Sequence, residues 1–171
     1  MRSNETTTHE LNLKPIWRAV QHQYRLNMRL GKGAFGDVIQ AECKASGQVV
    51  AVKLIENYCK SEYTCVKVAR ELQLMKGLKD NKQAYLFIPE IIDVIQPTPK
   101  QKQELLKDEE AEQEHIFIIM EYVESDLKSL ISISEGSNFS ESHLTLILYY
   151  LLCGLKFLHS SNIVHRDLKP Q

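Results

Sequence analysis

A glycine-rich turn between two segments of alternating polarity constrains the fold of this chain most strongly. Tyr24–Leu30 alternates apolar and polar residues, which is typical of a strand with one buried face. Gly31–Gly36 follows directly, and Val38–Lys44 continues as a second strand. The pattern G-x-G-x-x-G therefore joins two strands here. A dinucleotide-binding βαβ unit is a poor alternative, because the glycines of that motif open a helix.

The remaining periodicity predicts a small antiparallel sheet with one main helix, followed by the start of a helical region. The helix at 62–78 has an apolar stripe made by Val66, Ala69, Leu72, Met75 and Leu78. The predicted strands are 24–30, 38–44, 49–55, 91–95 and 116–120, and the predicted helices are 62–78 and 140–158.

The second helix has the clearest N-terminal signals in the chain. Ser140 suits the N-cap position, and Phe139 with Leu144 predicts a hydrophobic staple. A wide apolar stripe then follows at helical spacing, comprising Leu144, Ile147, Leu148, Leu151, Leu152, Leu155 and Leu158.

Charge is balanced over the whole chain but concentrated in one segment. The 21 basic and 22 acidic residues give a net charge of −1, so we expect no general attraction to nucleic acid or to an anionic membrane. Residues 104–114 hold six acids against one lysine. We expect about residues 97–114 to be a solvated, at most transiently helical insertion with no core to join.

Cysteine usage and the N-terminus predict an intracellular protein, in the cytoplasm or the nucleus. The four cysteines, Cys43, Cys59, Cys65 and Cys153, form no C-x-x-C pair and no metal-ligand spacing with the histidines, so we expect reduced thiols. The first ten residues lack an apolar signal region. No uninterrupted run of 18 apolar residues occurs, so we expect no membrane-spanning helix.

Three features point to phosphate chemistry, although each has an ordinary alternative. The glycines of 31–38 allow the backbone to approach phosphate oxygens, but a glycine hairpin without a ligand is the alternative. Lys53 shares a strand face with Ala51, yet surface lysines are common at strand ends. Glu71 has apolar neighbours on its helix and would pair with a cation such as Lys53, while a solvated glutamate is the usual outcome.

The segment 165–170, with the sequence HRDLKP, is the strongest chemical signal. It places an acid and two cations close together after the long helix. Asp167 would accept or orient the proton of a hydroxyl group, and Lys169 would face the transferred phosphoryl group. The occurrence of this segment after the other three features makes coincidence a poor explanation.

Together these motifs resemble those of the eukaryotic protein kinases, from about Tyr24 to the last residue. Leu-Lys-Pro after Asp167 resembles the Ser/Thr-specific branch. Trp17, the Gly-Ala-Phe-Gly loop and the segment 124–127 resemble the mitogen-activated kinases. The resemblance implies an α+β fold with a five-stranded antiparallel N-lobe sheet and one main helix. It also implies an extension at 1–23, an N-lobe and hinge at 24–123, and the start of a helical C-lobe at 124–171.

The resemblance also implies roles for individual residues. Catalytic roles fall to Asp167, Lys169, Lys53 and Glu71. Met120 would be the gatekeeper behind the adenine, backbone groups of Glu121 and Val123 would pair with the adenine edge, and Asp126 would reach the ribose. Arg166 would meet a phosphorylated activation loop. The implied ATP-binding residues are Leu30, Gly31, Lys32, Gly33, Ala34, Phe35, Gly36, Val38, Ala51, Lys53, Met120, Glu121, Val123 and Asp126.

The family pattern would continue with Asn after Gln171 and with Asp-Phe-Gly further on, so we expect a fragment that holds no ligand for the Mg²⁺ accompanying ATP. The implied function is ATP-dependent phosphorylation of Ser or Thr in a protein substrate, with an upstream activating kinase as a further partner. The expected partners include neither nucleic acid nor membrane. The alternative is a non-catalytic module that binds a nucleotide or a partner protein.

Overall fold

The computed structural model describes residues 11–33, 36–79, 87–133 and 140–170. It confirms the strands and helices expected from the periodicity, with small shifts at their ends. A 3₁₀ helix, Pro15–Ala19, precedes the sheet. The strands are β1 (Tyr24–Gly33), β2 (Gly36–Cys43), β3 (Val49–Ile55), β4 (Ile91–Ile95) and β5 (Ile116–Glu121). The helices are α1 (Glu62–Lys79), α2 (Pro99–Leu105), α3 (Asp108–Ala111), α4 (Leu127–Ile133) and α5 (Glu141–Ser160).

The strands form one five-stranded antiparallel sheet, as expected, in the order β1-β2-β3-β5-β4. Internal contacts divide the chain into two compact units. The first contains Met1–Val66 and Asp93–Ile119, and the second contains Lys67–Ile92 and Met120–Gln171.

The core of the first unit joins the 3₁₀ helix to the sheet. Trp17 is fully buried and meets Phe117 of β5 edge to face, with 5.2 Å between the ring centroids. The inward-facing residues of the central strands complete this core, among them Ile39, Val52, Leu54 and Ile118.

The acidic insertion is folded, and the expectation that it has no core to join is wrong. Thr98 and Gln101 form a reciprocal capping box at the start of α2, which packs against the 3₁₀ helix. The Lys102 side chain is buried, and its Nζ donates hydrogen bonds to Gln113 O at 3.2 Å and to Glu114 Oε1 at 3.1 Å. One buried lysine thus ties the two ends of the acidic segment together.

Helix α1 buries the later part of the expected stripe. Leu72, Met75 and Leu78 are half-buried, whereas Val66 and Ala69 are exposed and Val68 is buried instead. Glu71 is half-buried on this same face, because positions 68, 71, 72 and 75 follow the helical repeat. The expected stripe is therefore wrong only at Val66 and Ala69, and Glu71 lies beside apolar residues as expected.

Helix α5 begins as expected, with Ser140 Oγ accepting a hydrogen bond from His143 N at 3.3 Å. Phe139, the other half of the expected staple, lies outside the described residues. Much of the apolar stripe is exposed, including Leu144, Leu148, Leu151 and Leu152. Phe157 is buried, and its ring contacts that of Phe87 in a tilted arrangement with 5.9 Å between the centroids.

By length and composition, α5 is apolar enough to cross a membrane. We expected no helix of this kind because the sequence has no uninterrupted run of 18 apolar residues. That expectation is wrong, because α5 has the required length and composition without such a run. A core helix of a water-soluble protein has the same length and composition, so the finding alone does not place α5 in a membrane.

Two of the four cysteines lie close together. The Cα atoms of Cys59 and Cys65 are 4.4 Å apart, a separation that a disulfide spans, whereas Cys43 and Cys153 are free. The expectation of four scattered thiols is therefore wrong for this pair. Spacing in the sequence did not reveal it, because the contact depends on how the chain enters α1.

Candidate functional site

Three of the expected phosphate-site residues form one row across the sheet. Gly31 of β1 lies opposite Val38 of β2, and Val38 lies opposite Lys53 of β3. Directly opposed residues in antiparallel strands point to the same face, so the Lys53 side chain lies on the face where Gly31 carries no side chain. Ala51, two residues before Lys53, shares that face and is buried.

The two glycines at the ends of this turn have different structural reasons. Gly36 has φ +138°, and a Cβ there would overlap the backbone carbonyl oxygen of Leu54. A Cβ on Gly31 would meet no heavy atom within 4 Å. Gly36 is therefore required by the fold, whereas the bare backbone at Gly31 leaves open space in which phosphate oxygens fit.

The rest of the expected loop residues are described only in part. Leu30 and Lys32 are exposed on β1, and Gly33 pairs with Gly36 at the end of the hairpin. Ala34 and Phe35 lie outside the described residues.

An ion pair at the base of the turn was missed by the sequence reasoning. The Asp37 carboxylate is largely buried and lies 3.4 Å from Arg29 Nη2, which also donates to Asn12 O at 3.2 Å. Asp37 Oδ1 has no hydrogen-bond partner among the described residues. Asp37 occupies a variable position of the glycine pattern, so the pattern gave no signal for this contact.

The expected adenine-binding segment follows β5. The Glu121 N–H donates to Glu90 O at 2.9 Å, so this N–H is already engaged within the protein. Met120 is half-buried at the end of the strand, and the Val123 side chain is 58% exposed. The segment follows a buried strand, and its contact with adenine stays a prediction.

Asp126 has a structural role that the sequence reasoning did not give it. Its Oδ1 accepts a hydrogen bond from Ser129 N at 2.6 Å, and this caps the start of α4. The bond stabilises the carboxylate and lowers the pKa of Asp126 from its ordinary value of 3.8. A ribose contact by Asp126 stays a prediction.

We expect Asp126→Ala to lower the thermal midpoint by about 2–4 °C, because α4 loses its cap. Asp126→Asn keeps an acceptor oxygen and serves as the matched control. The folded-state pKa is lowered, so the contribution of the carboxylate is complete above pH 3.8 and is lost as the pH falls through the folded value. In melting curves between pH 7 and 3, the thermal midpoint of the wild type should fall toward low pH, and that of Asp126→Asn should not show this fall. Equal midpoints for the wild type, Asp126→Asn and Asp126→Ala at pH 7 would contradict the cap.

The segment 165–170 brings Asp167 and Lys169 together. Lys169 Nζ donates to Asp167 Oδ2 at 2.9 Å, and Asp167 N donates to His165 Nδ1 at 3.2 Å. The hydrogen bond and charge of Lys169 lower the pKa of Asp167, and His165 adds a smaller effect. Asp167 is therefore an ionised, solvent-accessible carboxylate at neutral pH.

The backbone of the segment 165–170 is anchored at its C-terminal end and has an unusual conformation at Arg166. Pro170 O accepts a hydrogen bond from Lys128 N at 2.8 Å, which connects it to the start of α4. Arg166 has φ +64°, a conformation that non-glycine residues seldom adopt. Such backbone is found where surrounding structure enforces it, often at functional sites.

A tight C-terminal cap of α5 directs the chain into this segment. Asn162 has φ +56° and donates to His159 O at 3.0 Å, while Ile163 N donates to Leu158 O at 2.9 Å. This is the Schellman arrangement, which requires a left-handed residue at the position of Asn162.

Replacing Asn162 by Ala is expected to cost about 1 kcal/mol of folding free energy, because Ala tolerates the left-handed region less well. Asn162→Gly is the matched control and should be neutral or slightly stabilising. Urea denaturation of both variants tests this, and an equal loss for Gly and Ala would show that φ is not the cause.

The other expected site residues are Lys53, which is half-buried on β3, and Glu71, which is half-buried on α1. The pairing of Lys53 with Glu71 stays a prediction. Across the described ranges, no three His, Cys, Asp or Glu side chains come together as a metal-binding group. The row of Gly31, Val38 and Lys53 fits a phosphate-bearing nucleotide.

Comparison with known proteins identifies the family of the chain. The family description "protein kinase domain" matches residues 24–171. The chain is 32% identical over 149 residues to mitogen-activated protein kinase 17 of Arabidopsis thaliana, covering 87% of this chain and 27% of that protein. It is 32% identical over 151 residues to mitogen-activated protein kinase 15 of Xenopus laevis, covering 88% of this chain and 22% of that protein. The chain thus spans about a quarter of the length of these curated relatives.

Proposed function

The chain belongs to the protein kinase family, and from that premise we propose that the protein carrying it transfers the γ-phosphoryl group of ATP to Ser or Thr hydroxyls. The observation that carries the proposal is the ionised Asp167 held by Lys169 after α5. An exposed carboxylate paired with a cation supplies both a proton acceptor and a positive charge at one point, as hydroxyl phosphorylation requires.

The remaining residues support nucleotide binding. In the row of Gly31, Val38 and Lys53, Gly31 exposes its backbone and Lys53 carries an ammonium group on the same face of the sheet. Both groups suit phosphate oxygens. The strand end at Met120–Glu121 offers a backbone edge for the adenine. Protein kinases generally use ATP with Mg²⁺, and the ion supplies charge neutralisation at the phosphates when it is bound. No residue of this chain is assigned to the metal.

In the proposed reaction, the substrate hydroxyl oxygen attacks the γ-phosphorus as its proton moves to Asp167 Oδ1 or Oδ2. The bond between the γ-phosphorus and the β,γ-bridging oxygen breaks, and ADP leaves with that electron pair. By the family resemblance we assign Lys169 to the transferred group and Lys53 to the other phosphates. The work of these residues is positioning and electrostatic stabilisation.

The relatives suggest the setting in which the reaction occurs. Because those compared are mitogen-activated protein kinases, we extend the proposal to a protein substrate, an upstream activating kinase and an intracellular location. The exposed apolar face of α5 then packs on further helices of a kinase C-lobe and does not enter a membrane.

The direct test incubates the protein that carries this chain with Mg²⁺ and γ-labelled ATP, together with Ser, Thr and Tyr versions of one basic test peptide. We expect label on the Ser and Thr peptides and its loss in the Lys53→Met variant. Label that persists in Lys53→Met, or that appears only on Tyr, would contradict the proposal.

The alternative that the sequence leaves open is a module that binds a nucleotide without transferring its phosphoryl group. Calorimetric titration with ATP distinguishes the two. Binding that requires Lys53, without any transfer from the longer protein, would favour the module.

A further inference from the structure

We propose that Cys59 and Cys65 form a reversible thiol–disulfide modification site that fixes the first turn of α1. Their Cα atoms are 4.4 Å apart, within the range that a disulfide spans, and six positions separate them in the sequence. Cys59 is exposed and Cys65 is half-buried, so a small reagent reaches the pair from solvent. This site lies outside the phosphate and adenine positions and does not depend on the proposed function.

The two cysteines lie on either side of the N-cap of α1. Ser61 Oγ accepts from Thr64 N at 3.2 Å, and Thr64 Oγ1 accepts from Ser61 N at 3.2 Å. Cys65 N donates to Ser61 O at 3.0 Å, which is the first hydrogen bond of the helix. A disulfide between Cys59 and Cys65 therefore encloses the N-cap of α1, which is otherwise held by hydrogen bonds alone.

The residue before the bridge is itself tied to the sheet side of the first unit. Tyr58 N donates to Glu114 O at 3.1 Å, just before β5. Tyr58 Oη accepts from Gln96 Nε2 at 2.6 Å, just after β4. In the oxidised form, the disulfide adds a second covalent link, besides the backbone, between the first turn of α1 and a segment anchored on two strand ends. Reduction removes this second link and leaves the capping hydrogen bonds to hold the turn.

The chemistry requires an oxidant, for which we name a low-molecular-weight disulfide such as oxidised glutathione. The Cys59 thiolate attacks one sulfur of the reagent, forming a mixed disulfide and releasing one thiolate. The Cys65 thiolate then attacks the Cys59 sulfur and releases the second, so that two protein thiols and one disulfide yield one protein disulfide and two small thiols.

Cys43 and Cys153 supply an internal control, because both are free. After incubation with oxidised glutathione and blocking with N-ethylmaleimide in denaturant, mass spectrometry should find two adducts among the four cysteines. After reduction and blocking, it should find four. Peptide mapping should place the protected pair at Cys59 and Cys65.

The structural consequence is tested by hydrogen exchange and melting of the full chain. In the oxidised state, we expect the amides of 62–66 to exchange about tenfold more slowly and the thermal midpoint to be about 5 °C higher than in the reduced state. Cys59→Ser should behave as the reduced protein in both buffers, and Cys43→Ser should respond as the wild type.

Four adducts after oxidation would overturn the proposal, as would a pairing that includes Cys43 or Cys153. Equal exchange of 62–66 in oxidised and reduced wild type would overturn the role in fixing α1. Comparing one wild-type protein in two redox buffers keeps the test decisive even if a variant is poorly folded.

Discussion

Asp167→Asn is expected to lower the rate of phosphoryl transfer by about 10²–10⁴-fold, with the affinity for ATP little changed. The reason is chemical, since an amide cannot accept the hydroxyl proton that an ionised carboxylate accepts. Asp167 is ionised at neutral pH because Lys169 lowers its pKa through a 2.9 Å hydrogen bond and its charge. Asn occupies nearly the same volume, so binding of the nucleotide should survive.

The measurement is single-turnover transfer from ATP to a Ser peptide by the protein that carries this chain, paired with an ATP titration. Asp108→Asn, which removes an exposed acid of α3, is the matched control and should transfer at the wild-type rate. Transfer by Asp167→Asn within a factor of about ten of wild type would remove Asp167 from the chemistry. A parallel loss of ATP binding would point to a folding defect, and a melting curve detects that.

Gly36→Ala is expected to cost about 3 kcal/mol of folding free energy. Two physical causes add together. The backbone has φ +138°, which only glycine adopts readily, and the new Cβ would overlap the Leu54 carbonyl oxygen in the neighbouring strand. Because Leu54 belongs to the buried strand β3, neither atom moves aside without disturbing the sheet.

Gly31→Ala is the matched control for this prediction, because its Cβ would meet no heavy atom within 4 Å. We expect its stability to stay within about 1 kcal/mol of wild type. Its affinity for ATP should nevertheless fall, because the methyl group enters the space proposed for phosphate. Guanidinium denaturation and ATP titration of both variants separate the two roles. Equal destabilisation by both would contradict the structural explanation.

Much of the site was predictable because it depends on local patterns. The order of strands and helices, the Ser140 cap and the linear segment around Asp167 all follow from short-range rules of periodicity and capping. The alternation of side chains along a strand placed Ala51 and Lys53 on one face without knowledge of the fold.

The predictions that were wrong concern features that depend on distant partners. The acidic segment was expected to have nothing to pack against. Its charge is visible in the sequence, but the burial of Lys102 and its bond to Glu114 are not. The buried face of α1 is set by what it packs on, so spacing alone gave no reason to prefer Val68 over Val66 and Ala69 at the start of the stripe. Spacing gave no indication of the Cys59–Cys65 pair.

The sequence by itself determined the class of sheet, the glycine turn, the acid and cation of the segment 165–170, and through them the family. Each of these depends on residue identity and on separations of a few positions, which backbone geometry converts directly into local structure. Only the tertiary structure decided that Gly36 is required by the Leu54 carbonyl and that Cys59 meets Cys65 across the start of α1. These contacts depend on packing and on how loops close, and those are properties of the folded chain as a whole.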